Sequence, residues 1–478
     1  MLRQFTSLYM PSYPTVLVYM LQSTEYQLDD YLGWLRRTKD FSTVMQRRTL
    51  DKTRASRLLL LGLRLGIVVQ IVAGLLMVYF DLNNQFVGGT MFGLALIIVY
   101  PFVWAYLLAL FVVVGKVLIR GSQQARIEQA TKIFDDFSGV TVAVAGSYGK
   151  TTMKELLLTV LSEGKKVAAT PANKNVSISH ARFAENLKGD EEILIIEYGE
   201  GAPGDVAKFA QSTKPTDVVI TGLAPAHLNR YKTLQAAGED IFSATKYVPA
   251  DHVYVNGESS SAVSFIKKGN QVFDEKSVLG WKVSKVKIEL SGISFEMHKG
   301  TQTLKLESGL VGEHQVSFLA FVAAFTLQSG LTKAQVIEGI AKTAPFEHRM
   351  QPYQLAGAWI VDDTYNGNIE GIRVGTRLLK DIPAKRKIYV TPGLVEQGEE
   401  AERVHKEMGK LIADAKPDMV VLMQNSTTEL IKSGLKSNGF TGEIKVEDKP
   451  LDFYTNLQHF VAHGDLVVMQ NDWTDNYA

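Results

Sequence analysis

Two long apolar stretches dominate the first quarter of the chain. The first, Leu58 to Phe80, is interrupted only by Arg64 and Gln70, and its length of about 23 residues is enough to cross the hydrocarbon core of a bilayer as a helix. The second extends from roughly residue 86 to 118 and is also long enough to span, with Pro101 expected to kink it. The pattern predicts two transmembrane helices joined by a short turn.

Positive charges flank this pair of stretches and are missing from the connection between them, at residues 81–85. The flanking cations are Arg47, Arg48, Lys52, Arg54 and Arg57 on one side, and Lys116, Arg120 and Arg126 on the other. Because cytoplasmic flanks are enriched in lysine and arginine, both ends of the hairpin are expected in the cytoplasm. We therefore predict a transmembrane hairpin over residues 57–120, at the cell membrane, with the domains that follow it on the cytoplasmic side.

Two alternatives compete with this interpretation of the hairpin. A buried helical hairpin of a soluble protein would also be apolar, whereas a cleaved signal peptide is disfavoured because the first stretch begins too far along the chain. The segment over residues 1–56 is expected to be cytoplasmic or interfacial. Within it, Pro14 to Leu21 is apolar but too short to span.

From residue 121 onward, short apolar strands alternate with helical stretches, which predicts an α/β fold. We expect a central domain over residues 121–344, built on a mostly parallel sheet with a glycine-rich loop after its first strand. Short antiparallel strands are expected between residues 286 and 306. A second, Rossmann-like domain is predicted over residues 345–478, with a helix over 400–413 and strands near 360, 388–390, 420–423 and 466–469.

Composition narrows the function classes. The 51 basic and 50 acidic residues leave a net charge of +1, and no long basic run interleaved with aromatics is present, so nucleic acid is not an expected partner. The chain has no cysteine, which removes disulfides, thiolate metal sites and cysteine nucleophiles together. Its nine histidines form no HExxH pair, so a zinc site of that kind is not expected.

A glycine-rich loop follows the first strand of the predicted central domain. The apolar run 140–145 leads directly into Gly-Ser-Tyr-Gly-Lys-Thr-Thr and then into a helical pattern. Glycines allow backbone N–H groups to approach phosphate oxygens, the lysine adds a cation, and a threonine hydroxyl can ligate Mg²⁺. ATP is the expected ligand. The predicted nucleotide-binding residues are Gly146, Ser147, Tyr148, Gly149, Lys150, Thr151 and Thr152.

The loop is shorter than the common P-loop pattern, because Val144 stands where that pattern has its first glycine. Further blocks follow in order. They are Thr170–Asn175, Ile193–Glu197, Ala226–Leu228, Ala244–Lys246, Gly312–Val316, His348–Arg349 and Ile360–Asn368. In sequence and order these blocks resemble the Mur ligase family of ATP-dependent amino-acid and peptide ligases, most nearly its D-alanyl-D-alanine-adding members.

The resemblance implies roles for individual residues. Lys150, Glu197, His227 and Lys246 would be catalytic, and Mg²⁺ would be held by Thr151 with Glu197, His227 and Lys246, the lysine being carbamylated in several members. The residues that would bind the nucleotide beyond the P-loop are Asn173, Arg349, Asp363 and Asn366. A carboxylate at the end of a strand beside a phosphate loop also suits a hard cation on chemical grounds alone.

The implied reaction is ATP-dependent joining of a carboxylate to an amine through an acyl phosphate, in the synthesis of peptidoglycan precursors or a related envelope polymer. The partners would be a peptide-bearing acceptor, lipid-linked or UDP-linked, an amino acid or dipeptide, and the lipid bilayer. Alternatives are a membrane-bound poly-amino-acid ligase, a membrane-tethered P-loop NTPase and an inactive scaffold.

Two departures from the family affect substrate recognition. The hairpin occupies the place of the usual UDP-binding domain, and no glycine-rich uridylate loop is present. Near the C-terminus, Gln470, Asn471 and Asp472 stand where the family commonly has Lys-Gly-Ser. These departures leave the acceptor and the amine open, and they motivate the hypothesis that the acceptor is presented at the membrane.

Overall fold

We describe a computed structural model of the chain. It describes residues 6–24, 26–44, 50–83, 87–172, 174–225, 228–365, 367–395, 397 and 400–471. The chain separates into two compact units, which divide between Ser122 and Gln123. The domain boundaries that the sequence predicts stay predictions.

The N-terminal unit is helical. Its helices are Tyr13–Ser23, Leu28–Arg37, a 3-10 turn at Phe41–Thr43, Arg54–Leu82 and the helix that begins at Gly89 and continues to Asp136. The first predicted span lies within Arg54–Leu82 and most of the second lies within the helix that begins at Gly89, and both helices are long and apolar enough to cross a membrane by length and composition. The polar residues after the second apolar stretch continue the same helix, which is 48 residues long.

Small residues and polar side chains hold the hairpin together. A Cβ on Gly74 would lie 2.7 Å from the backbone oxygen of Gly93, so these two helices approach as closely as glycine allows. Gln70 donates a hydrogen bond to the carbonyl of Leu96 at 3.0 Å and accepts one from Trp104 Nε1 at 2.7 Å. Such bonds satisfy polar groups inside an apolar unit.

The short apolar helix Tyr13–Ser23 is buried along most of its length and packs on the helix Arg54–Leu82. The hydroxyl groups of Tyr13 and Tyr31 donate to the backbone carbonyls of Pro101 and Ala105, at 3.2 and 3.0 Å. Only 17% of the most apolar stretch of the first long helix and 28% of that of the second are buried. This exposure counts against the alternative of a hairpin enclosed in a soluble core.

The second unit contains a six-stranded parallel sheet with the order β2-β3-β1-β4-β5-β6. Its strands are β1 (Val140–Ala145), β2 (Val167–Ala169), β3 (Ile193–Glu197), β4 (Asp217–Ile220), β5 (Val253–Asn256) and β6 (Gln271–Phe273). The accompanying helices are Lys150–Leu161, Ser177–Glu185, Asp205–Thr213, Leu228–Tyr231, Leu234–Ile241, Ser260–Val263, His314–Gln328 and Lys333–Ala341, with 3-10 turns at Phe242–Tyr247 and Ala250–His252. Apolar side chains pack on both faces of the sheet, as the continuous apolar strands require.

A four-stranded antiparallel sheet, ordered β10-β9-β8-β7, follows in the chain. Its strands are β7 (Ser277–Val278), β8 (Trp281–Glu289), β9 (Gly292–Lys299) and β10 (Gln302–Ser308). Buried residues alternate with more exposed ones along β9 and β10, which is the pattern of a sheet with one covered face. The predicted antiparallel strands are therefore present and longer than expected.

The third sheet has six strands in the order β11-β12-β16-β13-β14-β15, parallel except for the β11–β12 pair. Its strands are β11 (Gln351–Leu355), β12 (Ala358–Asp363), β13 (Arg386–Thr391), β14 (Met419–Met423), β15 (Glu443–Glu447) and β16 (Asp465–Gln470). Its helices are Ile369–Asp381, Ala401–Ala415, Thr428–Ser437, Pro450–Thr455 and Leu457–Phe460. The predicted Rossmann-like arrangement is confirmed, with two edge strands, β11 and β15, that were not predicted.

Strand register brings distant residues together at one edge of the central sheet. Val144 is aligned with Glu197 on β3, and Ala145 is aligned with Ile220 on β4. The loop after β1, the end of β3 and the loop after β4 therefore meet at the carboxyl edge of the sheet. Ligands bind at this edge in open α/β folds.

Candidate nucleotide-binding site

The loop after β1 has a backbone that only glycine accommodates at two points. Gly149 immediately precedes the helix Lys150–Leu161 with φ of 74°, and a Cβ there would lie 2.7 Å from the ring of Phe318. Gly146 has φ of 146°, and a Cβ there would lie 2.9 Å from the oxygen of Gly222 and closer still to the Thr221 hydroxyl. The loop is therefore held against the β4 loop with its N–H groups at a helix N-terminus, which suits phosphate.

Lys150 occupies the first turn of that helix and points back across the loop. Its Nζ donates to the carbonyl oxygen of Gly146 at 2.5 Å and to Oε2 of Glu200 at 2.6 Å. The Lys150 and Glu200 side chains are only 11% and 6% exposed. The cation predicted to bind phosphate is thus neutralised by a carboxylate that the sequence prediction left without a role.

Glu197 lies at the end of β3 and is fully enclosed, with 1% of its surface exposed. Its Oε1 accepts hydrogen bonds from Thr151 Oγ1 and from Asn175 Nδ2, both at 3.2 Å. Its backbone N–H donates to Thr170 Oγ1 at 3.1 Å. The predicted metal ligands Thr151 and Glu197 are therefore in direct contact, although 46 residues separate them in the chain.

His180 is hydrogen-bonded to the backbone of Glu197. Its Nε2 lies 2.9 Å from the Glu197 carbonyl oxygen, so Nε2 is the donor, and Nδ1 has no hydrogen-bond partner among the residues described. Burial lowers the pKa of His180 to about 4. The imidazole is consequently neutral at physiological pH and acts as a hydrogen-bond donor to the backbone.

The rest of the loop is fixed by the β4 loop. The Ser147 N–H donates to the Gly222 carbonyl at 2.9 Å, and the Thr221 hydroxyl donates to the Tyr148 carbonyl. The ring of Tyr148 lies over Gly222, where any Cβ would collide with it. Burial raises the pKa of Tyr148, which keeps its hydroxyl protonated. Thr152 is buried in the first turn of the helix.

The structure gives a different result for the other predicted metal and phosphate ligands. Lys246 lies on the 3-10 turn Phe242–Tyr247 with its side chain exposed, and within the described ranges it makes no hydrogen bond or ion pair with the Glu197 group. Asn173, His227 and Asn366 lie outside the described residues. Their roles stay predictions, as does that of Lys246.

The predicted nucleoside-side residues lie at the end of β12. The Arg349 guanidinium stacks over the ring of Tyr365, 4.2 Å from its centroid. Asp363 accepts hydrogen bonds from Gln470 Nε2 at 2.7 Å and from the Met350 N–H at 3.2 Å. Burial raises the pKa of Asp363 to about 6. Its carboxylate is therefore ionised at neutral pH and takes up a proton when the pH falls below that value.

Gln470 is one of the positions at which the chain departs from the family pattern. Besides Asp363, it donates to the carbonyl of Gly371 at 2.8 Å and accepts from Tyr389 OH at 2.8 Å. A Cβ on Gly375 would collide with its side chain. Gln470 is therefore a fully bonded support for Asp363, and the C-terminal departure affects this carboxylate directly.

Sequence reasoning assigned no role to Lys154, Asn175, His180, Glu200 or Gln470. Lys154 stands one helical turn after Lys150, a spacing that places both side chains on the same face of a helix, so the signal was present. The other four depend on contacts between separate elements. Their importance could not be found from spacing alone.

The donor set fits a nucleotide with a hard divalent cation. Thr151 and Glu197 offer oxygen atoms, which Mg²⁺ prefers, and Thr151 Oγ1 lies 3.2 Å from Glu197 Oε1. Phosphate oxygens would face the loop N–H groups and Lys150. In the part of the chain that the structure describes, no group of three or more His, Cys, Asp or Glu side chains is arranged so that it could hold a metal ion.

Comparison with known families decides the identity of these domains. The model of the Mur ligase middle domain matches residues 144–326, and that of the Mur ligase glutamate ligase domain matches residues 348–470. The chain belongs to the Mur ligase family. The predicted resemblance and the predicted order of P-loop sheet and second α/β domain are thereby confirmed.

Curated relatives of this Mur ligase include UDP-N-acetylmuramoyl-tripeptide–D-alanyl-D-alanine ligases from several bacteria. The one from Buchnera aphidicola is 25% identical over 317 residues, and the one from Escherichia coli is 24% identical over 326 residues. Each alignment covers 64% of this chain and 69% of the relative. With a third such ligase, from Borreliella burgdorferi, the alignment covers 64% of the relative's length.

Solved structures share the fold. The crystal structure of MurF ligase from Thermotoga maritima in complex with ADP has a TM-score of 0.64 and 23% identity, covering 73% of this chain and 80% of that one. A crystal structure of MurF from Acinetobacter baumannii has a TM-score of 0.64 and 17% identity, covering 74% and 78%. The similarity covers about three quarters of this Mur ligase, so part of each chain has no counterpart in the other.

Proposed function

We propose that this Mur ligase is an ATP-dependent, ADP-forming ligase that joins a carboxylate to an amine through an acyl phosphate. The observation that carries the proposal is the arrangement at the carboxyl edge of the central sheet. There a loop with two positions that only glycine fits, the largely enclosed cation Lys150 and the Thr151–Glu197 pair converge on one place. Family membership supports the same activity.

The chemistry follows from the poor leaving group of a free carboxylate. A carboxylate oxygen attacks the γ-phosphorus of ATP, the bond to the ADP oxygen breaks, and an acyl phosphate forms. The amine then attacks the carbonyl carbon, inorganic phosphate leaves, and the nitrogen loses a proton to give the amide. Lys150 and the loop N–H groups stabilise the charge on the phosphates during the first step.

Mg²⁺, when bound, neutralises charge on the phosphates, and Thr151 and Glu197 are the described residues that would hold it. Asn175 and His180 fix the orientation of Glu197 through its side chain and its backbone. Asp363 and Arg349 would receive the nucleoside end of ATP, with Gln470 holding Asp363 in place.

The relatives point to peptidoglycan precursors as the substrate class. Their names describe the addition of D-alanyl-D-alanine to a UDP-N-acetylmuramoyl-tripeptide. We extend the class of reaction and the dipeptide to this chain. For the acceptor we favour a lipid-linked peptide, since the helical hairpin stands where the family has its UDP-binding domain.

The hairpin supports a place at the membrane. Its helices are long enough to span, their apolar side chains are largely exposed, and cations flank both ends. The catalytic unit would then lie on the cytoplasmic side. Confinement to the bilayer would raise the concentration at which the enzyme meets a lipid-linked acceptor.

Nucleotide binding is the first test. Labelled ATP should bind the full-length protein in magnesium, and Lys150→Ala should weaken binding at least about tenfold, because the phosphates lose the positive charge of the loop. Lys166→Ala is the matched control, since Lys166 forms an exposed ion pair with Asp190 at the opposite edge of the sheet. Equal binding by wild type and Lys150→Ala would refute the proposal.

The reaction itself is tested by phosphate release with D-alanyl-D-alanine and matched UDP-linked and lipid-linked peptide acceptors, followed by mass analysis of the product. We expect release only when both substrates are present, and faster with the lipid-linked acceptor. Preference for the soluble acceptor would overturn the membrane part alone. Phosphate release without any acceptor would indicate an NTPase, and products with many added residues would indicate a polymerising ligase.

A further inference from the structure

Lys154 is a completely buried cation one turn after Lys150 in the P-loop helix, with none of its side chain exposed. Its Nζ donates to the carbonyl oxygen of Thr170 at 2.8 Å and to that of Ala172, and it lies 3.0 Å from Glu155 Oε1. An ammonium group removed from water persists only when its protons are bonded and its charge is balanced. The fold therefore keeps a cation at this position although the cation is removed from water.

The two carboxylate oxygens of Glu197 have different surroundings, and the Lys154 ammonium group is part of that difference. Oε1 faces Thr151 and Asn175, each at 3.2 Å. Oε2 makes no hydrogen bond among the described residues and lies 3.5 Å from Lys154 Nζ. One oxygen is thus directed to the phosphate loop, and the other is directed to a positive charge inside the protein.

Lys154 also fixes the segment that flanks Glu197. Ala172 adopts a left-handed backbone with φ of 46°, and its carbonyl oxygen is one of the acceptors for Nζ. Thr170, whose carbonyl is the other acceptor, receives the Glu197 N–H on its side-chain oxygen at 3.1 Å. Loop, lysine and carboxylate are therefore one connected unit.

We propose that Lys154 is a positioning residue that gives the metal site its preference for Mg²⁺ over Ca²⁺. Because its positive charge lies 3.5 Å from Glu197 Oε2, Lys154 repels a second cation from that oxygen and leaves Oε1 for a metal ion, so that the carboxylate binds through one oxygen. Mg²⁺ requires near-ideal octahedral geometry at short distances, whereas Ca²⁺ accepts more ligands and often takes both oxygens of a carboxylate. The inference rests on the proposed function, because it assumes a metal-nucleotide at this site.

The test measures ADP binding to the full-length protein by calorimetry, in titrations of MgCl₂ and of CaCl₂, without any turnover. Wild type should bind ADP more tightly with Mg²⁺ than with Ca²⁺. Lys154→Met, which keeps an unbranched side chain but removes the charge, should lower this preference by about tenfold, the lower end of what loss of an outer-shell partner costs a metal site. Lys165→Met is the matched control, since Lys165 pairs with Glu192 at the other end of β3 and should leave the preference unchanged.

Three results would overturn the inference. They are a wild type that does not distinguish the two metals, a Lys154→Met protein with unchanged preference, and an equal weakening for both metals, which would mean a purely structural role. If Lys154→Met fails to fold, the wild-type comparison of the two metals can still overturn the inference, and Lys154→Gln provides a second variant. Absence of any ADP binding by wild type would instead refute the proposed function.

Discussion

Lys150 and Glu200 form a nearly enclosed ion pair in the phosphate loop, with Nζ 2.6 Å from Oε2. The two residues lie 50 positions apart and meet because β1 and β3 are neighbours in the sheet. We infer that a phosphate group that binds the loop competes with this carboxylate for Lys150. The pair therefore sets how readily the free enzyme accepts nucleotide.

The first prediction concerns Glu200→Gln. Removing the negative charge abolishes both the competition for Lys150 and the repulsion of the phosphates, so ADP should bind more tightly in the absence of divalent metal, by about tenfold, or about 1.4 kcal/mol. Binding in EDTA, measured by calorimetry, checks this. Glu192→Gln, at the opposite end of β3, should leave affinity unchanged. Weaker binding by Glu200→Gln would show that the carboxylate serves the nucleotide rather than competing with it.

The second prediction concerns the conformation of the loop. Gly149→Ala places a methyl group at φ of 74° and 2.7 Å from the Phe318 ring, so both backbone strain and a steric clash arise. We expect a stability loss of about 1 to 3 kcal/mol together with a clear loss of ADP affinity. Gly189→Ala has a similar φ of 85° but open space around it. Thermal unfolding should therefore show a smaller loss for Gly189→Ala, with normal ADP binding.

The third prediction concerns pH. Because burial raises the pKa of Asp363 to about 6, this carboxyl keeps its proton up to that pH and is ionised above it. If ionised Asp363 accepts hydrogen bonds from the ribose, ADP affinity should increase with pH and fall about tenfold between pH 7 and pH 5. Asp363→Asn should bind more weakly at neutral pH and show a flatter profile. The same slope in both proteins would exclude Asp363 as the titrating group.

The fourth prediction concerns the hairpin. Gly74→Ala brings a methyl group within 2.7 Å of the Gly93 backbone oxygen, so the two helices must separate. We expect a lower melting temperature of the detergent-solubilised protein. Gly62→Ala lies on the same helix with nothing within 4 Å of the added carbon and should leave the melting temperature nearly unchanged. Equal effects of the two substitutions would contradict the close packing of the helices.

Elements defined by local pattern were predictable. The span Leu58 to Phe80 and the loop from Gly146 to Thr152 are read directly from composition and spacing, because helix length and glycine placement are local properties. The strands β2, β5, β6, β7, β11 and β15 were not predicted. They are short or lie at sheet edges, and all except β5 are only partly buried, so their sequences lack the long apolar run that identifies the other strands.

The sequence by itself determined the hairpin, the order of the domains and the chemistry of the phosphate loop. Only the tertiary structure decided that Glu200 neutralises Lys150, that Lys154 is buried against Glu197, and that Gln470 holds Asp363 across 107 residues of chain. A motif records which groups are adjacent along the chain. Strand order and register decide which carboxylate meets which cation, and burial decides how strongly the two interact.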